Sequence, residues 1–261
     1  MSRLLVHFHL YYHDQADFYL DRLLNITVPF RLIVTLTDDN ESIRQKILSK
    51  IPDAEIMVVE NCGYDVYPFF QAMKQVDLSS YEYILKIHTK NRRRKLSVNH
   101  LHYYRYGFRN NLVNPLIGSK ERFDIAFNTI SSSPHVGMVC PRFFLLHKEA
   151  PKNRAYTERV CHDYDIPYNS EAVFCAGTMF FCRSEIVQFL LRKDYPASEY
   201  GSQLKTGSVG SLAHSLETMF GIVSQHLGYD IKGVKGTSLF YKLVYLEKYI
   251  FHKDVRWLME H

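Results

Sequence analysis

The strongest constraint on the fold is an alternation that occupies the first third of the chain. Short apolar runs at Leu4–Tyr12, Phe30–Leu36, Ala54–Val59 and Tyr81–Ile87 are separated by helix-spaced segments at Asp14–Leu24, Glu41–Ser49 and Val66–Val76. Runs of this length, rich in β-branched and aromatic residues, read as buried strands. Strands that alternate with single helices on short connections read as a parallel sheet with right-handed crossovers. Pro68 falls in the first turn of the third helix, where a missing N–H costs nothing. Asp39 or Asn40 is placed to cap the second helix.

The second half is less regular. Val98–Leu116, Lys120–Ser131, Ser184–Arg192 and Leu212–Leu227 read as helices, and Val136–Cys140 as a short strand. Val173–Cys182 reads as a strand broken by Gly177, and Pro141–Asn169 as loops with one helix of uncertain extent. Tyr195–Gly210 reads as a surface loop. The tail, Leu239–Glu260, mixes aromatic and aliphatic residues with Lys, His and Arg, which suits a helix packed on the domain or lying on a membrane surface. The expected organisation is one domain over 1–234 and a helical extension over 235–261.

Composition narrows the class. The chain has 261 residues and a net charge of +5, which permits an anionic ligand or membrane surface without demanding nucleic acid. No nucleic-acid-reading motif accompanies the basic residues. Five cysteines show no ligand spacing, so free thiols in a reducing cytoplasm are expected and a zinc site is not. His7 and His9 interrupt the N-terminal apolar run, which makes a poor signal peptide, and no stretch reaches the apolar length of a membrane span.

Polar clusters end three successive strands, on the rim where ligands of open α/β sheets bind. Asp38 and Asp39 follow the second strand, and either a nucleotide contact or a helix cap accounts for them. Asn61, Gly63 and Asp65 follow the third, at a helix N-terminus that favours an anion or a polar sugar; taken alone, a capped turn is the better account of them. Lys86, His88, Thr89 and Lys90 end the fourth, as a basic lip or a solvated loop. Gly177 and Thr178 interrupt an apolar strand, which marks close backbone approach to a ligand or to a neighbouring helix. His214 and Glu217 share one face of the Leu212–Leu227 helix. Glu217, flanked by Leu216 and Met219, is a general-base candidate if desolvated and a solvated helix carboxylate otherwise. Arg92 opens a basic run that suits phosphate capture, an anionic lipid surface or solvent.

The motifs VHFHLYY, LIVTLTDD, VENCGYDVYPF, YEYILKIHTK, VGMVCP, FCAGTMFFCR and GSLAHSLETMF, in this order, resemble the rhamnan synthesis protein F family of bacterial surface-polysaccharide assembly. The resemblance runs from about residue 4 to residue 225. The order also resembles a GT-A (Rossmann-type) glycosyltransferase layout, which implies a mostly parallel sheet flanked by helices. It implies a hexosyltransferase, plausibly a rhamnosyltransferase using dTDP-rhamnose, inverting, with a lipid-linked glycan acceptor. Such an enzyme would be cytoplasmic, peripheral on the inner face of the membrane.

By that layout Asp38 or Asp39 faces the base of the donor, and Asn61, Gly63 and Asp65 line its pocket. Glu217 is the base, with Asp65 as second choice. Gly177 and Thr178 complete the donor side, and His214 and Arg92 support the acceptor. The sequence departs from the layout at Lys86-Ile87-His88-Thr89-Lys90, where an Asp-x-Asp metal motif is expected. Oxygen-seeking Mg²⁺ or Mn²⁺ would be repelled by the two lysines, so a metal-independent reaction is expected, with Lys86, His88 or Lys90 stabilising the leaving diphosphate. Tyr64 replaces an expected arginine, and Thr218 follows Glu217 where an arginine is expected. The missing metal carboxylates also leave room for a non-catalytic nucleotide- or glycan-binding module of a polysaccharide assembly complex.

Overall fold

A computed structural model describes residues 4–91, 97–98, 101–102, 106–147, 153–200 and 211–236. Its centre is a seven-stranded sheet. The strands are β1 (Leu4–His9), β2 (Phe30–Leu36), β3 (Glu55–Val58), β4 (Tyr83–His88), β5 (Val136–Pro141), β6 (Phe180–Arg183) and β7 (Asp230–Val234). Their spatial order is β3-β2-β1-β4-β6-β5-β7, and only β6 runs antiparallel to its neighbours. The sheet is thus mostly parallel and flanked by helices, as the alternation of elements requires.

Strand β1 is buried along its whole length, which is what a central strand covered on both faces demands. Leu4, Val6 and Phe8 point to the face covered by α1 (Ala16–Leu23), α2 (Glu41–Lys50), α4 (Gly107–Ile117) and α5 (Lys120–Ser131). Leu5 points the other way, towards α3 (Val66–Met73), α6 (Arg154–Asp163), α7 (Ser184–Leu190) and α8 (Leu212–His226). Period-2 alternation puts His7 and His9 on that second face. Asn40 caps α2 by accepting from the Ile43 amide at 3.1 Å, so Asp39 is not the cap.

The second half departs from expectation in three places. The expected helix from Val98 starts only at Gly107; upstream, Ser97–Val98 pairs with Leu101–His102 as two short antiparallel strands. Val173–Cys182 is not one strand. Val173–Cys175 pairs with Leu145–His147, and the chain then turns through Gly177 (φ 83°) and Thr178 (φ 49°) before entering the main sheet as β6. Two consecutive left-handed residues cannot continue a strand, so the break at Gly177 is complete. Strand β7 was not foreseen, because Asp230-Ile231-Lys232-Gly233-Val234 is a short edge strand without a strong apolar run.

The basic residues 92–95 and the expected helical extension beyond 236 lie outside the described residues. No helix among the described residues is long and apolar enough to cross a membrane. All five cysteines are buried free thiols.

Candidate active site

The C-terminal rim of β1, β2 and β4 carries an interlocked polar cluster on the α3 and α8 face. Strand register builds it. His7 lies opposite Lys86, and His9 lies opposite both His88 and Thr35. Side chains at i and i+2 share a face, so two histidines from β1 and a lysine and a histidine from β4 project together. Each is at most 2% exposed, in positions where an apolar side chain would be ordinary.

Asp65 ties this cluster together. It occupies the N-cap position of α3, yet its side chain makes no cap bond. It turns instead to Lys86, whose ammonium donates to Oδ2, and to Thr178, whose hydroxyl donates to the same oxygen at 2.7 Å. The Lys86 ammonium also donates to the Thr178 carbonyl at 3.2 Å. His88 Nε2 lies 3.1 Å from Asp65 Oδ1 without the alignment of a hydrogen bond, and neither ring nitrogen of His88 has a hydrogen-bond partner. Lys90 Nζ stands 3.9 Å from the same oxygen.

Electrostatics follow from burial. Desolvation by itself would raise the Asp65 carboxyl, but His88, Lys86, Lys90 and the Lys86 hydrogen bond outweigh it and hold the group well below the usual carboxylate range. Desolvation pushes the imidazoles of His7 and His88 well below their ordinary value, with Lys86 nearby adding to the effect. His9 is lowered to about 4, again chiefly by burial. Neutral imidazoles suit the hydrogen bonds: His7 Nε2 and His9 Nδ1 each lie 3.0 Å from the Thr35 hydroxyl, which donates to one ring and accepts from the other. His7 Nδ1 and His9 Nε2 remain buried without a partner, as do both nitrogens of His88. Such clustered orphan groups mark a place for a water or a ligand atom.

Both loops that meet at Asp65 contain left-handed backbone. Gly63 has φ 59° and Tyr64 φ 57°; Gly177 has φ 83° and Thr178 φ 49°. A β-branched threonine in that region is a genuine outlier, of the kind that persists where the surroundings over-determine it. Here Asp65 and Lys86 hold it through two hydrogen bonds and are themselves joined by a third. Tyr64, half-buried, meets the ring of His214 edge-on with centroids 5.4 Å apart, which brings the start of α8 against the loop after β3. Ser211 caps α8 and lies 2.8 Å from His214 Nδ1. Glu217 follows one turn later and is half-buried.

The structure therefore gathers Asp65, Lys86, His88, Lys90 and Thr178 into one cluster and sets His214 beside its loop. Other candidates fall away from it. Asp38 is exposed and lies 3.3 Å from His13 Nε2, while exposed Asp39 pairs with Arg44 at 2.6 Å. Asn61 is exposed. Gly63 serves conformation and packing, since a Cβ there would sit 2.8 Å from Tyr200 and Tyr67. Gly177 packs against α4, its virtual Cβ 3.0 Å from Leu112, so the helix and not a ligand approaches it. Arg92 lies outside the described residues. Sequence reasoning missed His7, His9 and Thr35; the signal was two histidines at i and i+2 in an otherwise apolar strand.

A divalent metal does not fit this donor set. Hard cations require several oxygen ligands. Asp65 is the one carboxylate among the cluster residues named here, and it is already engaged by Lys86.

A model of the family described as rhamnan synthesis protein F matches residues 1–229. Two proteins of Xanthomonas campestris pv. campestris, each named uncharacterized protein WxcX, are 29% and 28% identical over 238 residues, covering 88% of this chain and 32% of theirs. The chain thus spans about a third of the length of these relatives. Among solved structures, Staphylococcus aureus TarS 1–349 is similar at 14% identity and TM-score 0.47, over 94% of this chain and 65% of that one. The galactosyltransferase LgtC, solved with donor and acceptor sugar analogs, is similar at 8% identity and TM-score 0.42, over 87% and 72%. With a family match that runs from the first strand to the end of α8, this chain belongs to the rhamnan synthesis protein F family.

Proposed function

We propose that this chain is a glycosyltransferase of bacterial surface-polysaccharide assembly, moving a sugar, rhamnose as the first candidate, from a nucleoside-diphosphate donor to a glycan acceptor. The observation that carries this reading is the Asp65, Lys86, His88, Lys90 and Thr178 cluster on the rim where a parallel sheet receives ligands. Its roles divide by burial. Lys86 is fully buried and neutralised by Asp65, so it positions that carboxylate. Lys90 keeps 14% of its side chain exposed and stands at the outer edge, so it is the cation that meets the leaving diphosphate. Asp65, held far below the usual range by its cations, is a poor proton acceptor and acts as their anchor.

In the inverting form of this reading Glu217 takes the proton from the acceptor hydroxyl. The acceptor oxygen bonds to the anomeric carbon as the bond to the diphosphate oxygen breaks, and the electron pair leaves with the nucleoside diphosphate. No step passes through a metal ion. A lipid-linked acceptor and work at the inner face of the membrane complete the proposal.

The test is a thermal-shift screen of UDP, dTDP, GDP and their sugars, each with Mg²⁺, with Mn²⁺ and with EDTA. A ligand of the native state raises the midpoint. Stabilisation by one nucleotide family, unchanged in EDTA and weakened by Lys90→Gln, is the expected result. No stabilisation by any nucleotide would overturn the donor site.

A further inference from the structure

On the opposite face of the sheet, two arginines clasp one phenylalanine. The guanidinium carbon of Arg22, on α1, lies 3.4 Å from the Phe18 ring centroid, and that of Arg109, on α4, lies at the same distance. Two groups so close to one ring must occupy its two sides. Arg109 also stacks on Tyr106 at 3.8 Å.

Their hydrogen bonds are all to neutral oxygens. Arg22 donates to Asn114 Oδ1 at 2.8 Å and to the Phe18 carbonyl at 3.0 Å, and Arg109 donates twice to Asn110 Oδ1 at 3.1 and 3.0 Å. Among the described residues neither has a carboxylate within ion-pair distance; Asp14, beside them, accepts from the Tyr106 hydroxyl instead.

A clamp between two helices does not need this arrangement. Arg109 is only 7% exposed, and a buried cation with no carboxylate at ion-pair distance is costly, Asp14 acting on it only from further away. It also stands in the first turn of α4, which holds no acidic residue, where the helix dipole disfavours a positive charge and favours an anion. Asn25 already ties α1 to α4 by donating to the Ile117 carbonyl at 2.9 Å.

We propose that Arg22, Arg109 and the N-terminus of α4 form an anion site for the phosphate or diphosphate of a ligand, separate from the Asp65 cluster. Face stacking leaves the guanidinium edges as the donating sides; they now hold the neutral amide oxygens of Asn110 and Asn114, for which the oxygens of a charged phosphate are the stronger acceptors. The site lies near the same rim: the Tyr19 hydroxyl donates to the His88 carbonyl, and Gln15 donates to the Lys90 carbonyl at 2.7 Å. It does not depend on the glycosyltransferase reading, since it needs no donor sugar.

The probe is inorganic pyrophosphate, titrated into the full chain by calorimetry alongside thermal melts, for wild type, Arg109→Gln, Arg109→Lys, Arg22→Gln and Lys90→Gln. Arg109→Gln should weaken pyrophosphate binding roughly tenfold, more than Lys90→Gln does, while the midpoint without ligand stays level or rises because an unpaired buried charge is gone. Arg109→Lys, which keeps charge but not the planar fork, should fall between. Sedimentation with phosphatidylglycerol vesicles, against phosphatidylcholine alone, separates the sources. Arginine-dependent capture by the anionic vesicles assigns the site to a lipid headgroup, and pyrophosphate binding without capture assigns it to a soluble phosphate. Pyrophosphate binding unchanged in Arg109→Gln and Arg22→Gln, or a lowered midpoint with binding intact, would overturn the proposal in favour of a helix clamp.

Discussion

Acidification should destabilise this protein well before its surface carboxylates titrate. His7, His9 and His88 are each buried with the neutral form favoured, and in the unfolded chain each recovers a pKa of about 6.5. The unfolded state therefore binds more protons below that value, so stability rises with pH. Each histidine's contribution is complete above about pH 6.5 and is lost as the pH falls towards its folded value, about 4 for His9. At roughly pH 5.5, about one unit below the unfolded value, His9 costs on the order of 1 kcal/mol, and His7 and His88 act in the same direction, against the roughly 5–15 kcal/mol typical of a domain. Urea melts at about pH 7.5, 6.5 and 5.5 measure this directly, and the slope should approach an uptake of about three protons on unfolding. His9→Gln should reduce that uptake by about one. A stability that stays flat over this range would refute the claim that the three imidazoles are neutral in the fold.

Other perturbations test the cluster and its loops. Lys86→Met leaves Asp65 without its closest cation and should cost about 3–5 kcal/mol in urea melts, and adding Asp65→Asn should restore part of the loss. Gly63→Ala forces an L side chain into φ 59° with its Cβ 2.8 Å from Tyr200 and Tyr67, and should cost at least about 1–2 kcal/mol by the same measurement. Glu217→Gln should lower transfer rate by about 10²–10⁴ with nucleotide binding retained. Function left intact by that substitution would favour a binding module over an enzyme.

The sheet was legible because its strands are apolar runs set apart by single helices on short connections, a pattern that local composition alone carries. The parts that escaped depend on partners distant in sequence. Strand β7 exists because β5 offers it a paired edge, and β6 runs antiparallel because Gly177 and Thr178 turn the chain after Val173–Cys175 has paired elsewhere. The short strands at Ser97–Val98 and Leu101–His102 likewise stabilise each other, and neither is visible as a strand by itself.

The site was legible to a different degree, for a related reason. Lys86, His88 and Lys90 announce themselves as polar residues ending an apolar strand, but their meaning depends on what faces them. Register answers that. His7 and His9 lie beside Lys86 and His88 because β1 and β4 pair in step, and Asp65 reaches the group only because Gly63 and Tyr64 turn the backbone through left-handed space. A carboxylate at a helix start would ordinarily cap the helix. This one gives up that bond to hold two lysines and a strained threonine, and a chain seldom leaves three imidazoles, two ammonium groups and a carboxylate together under cover for packing alone. The aspartates after β2, which the sequence offers equally as a nucleotide contact or a helix cap, instead pair with His13 and Arg44 in solvent. Burial, which no single stretch of sequence displays, is what separates the two groups of charged residues.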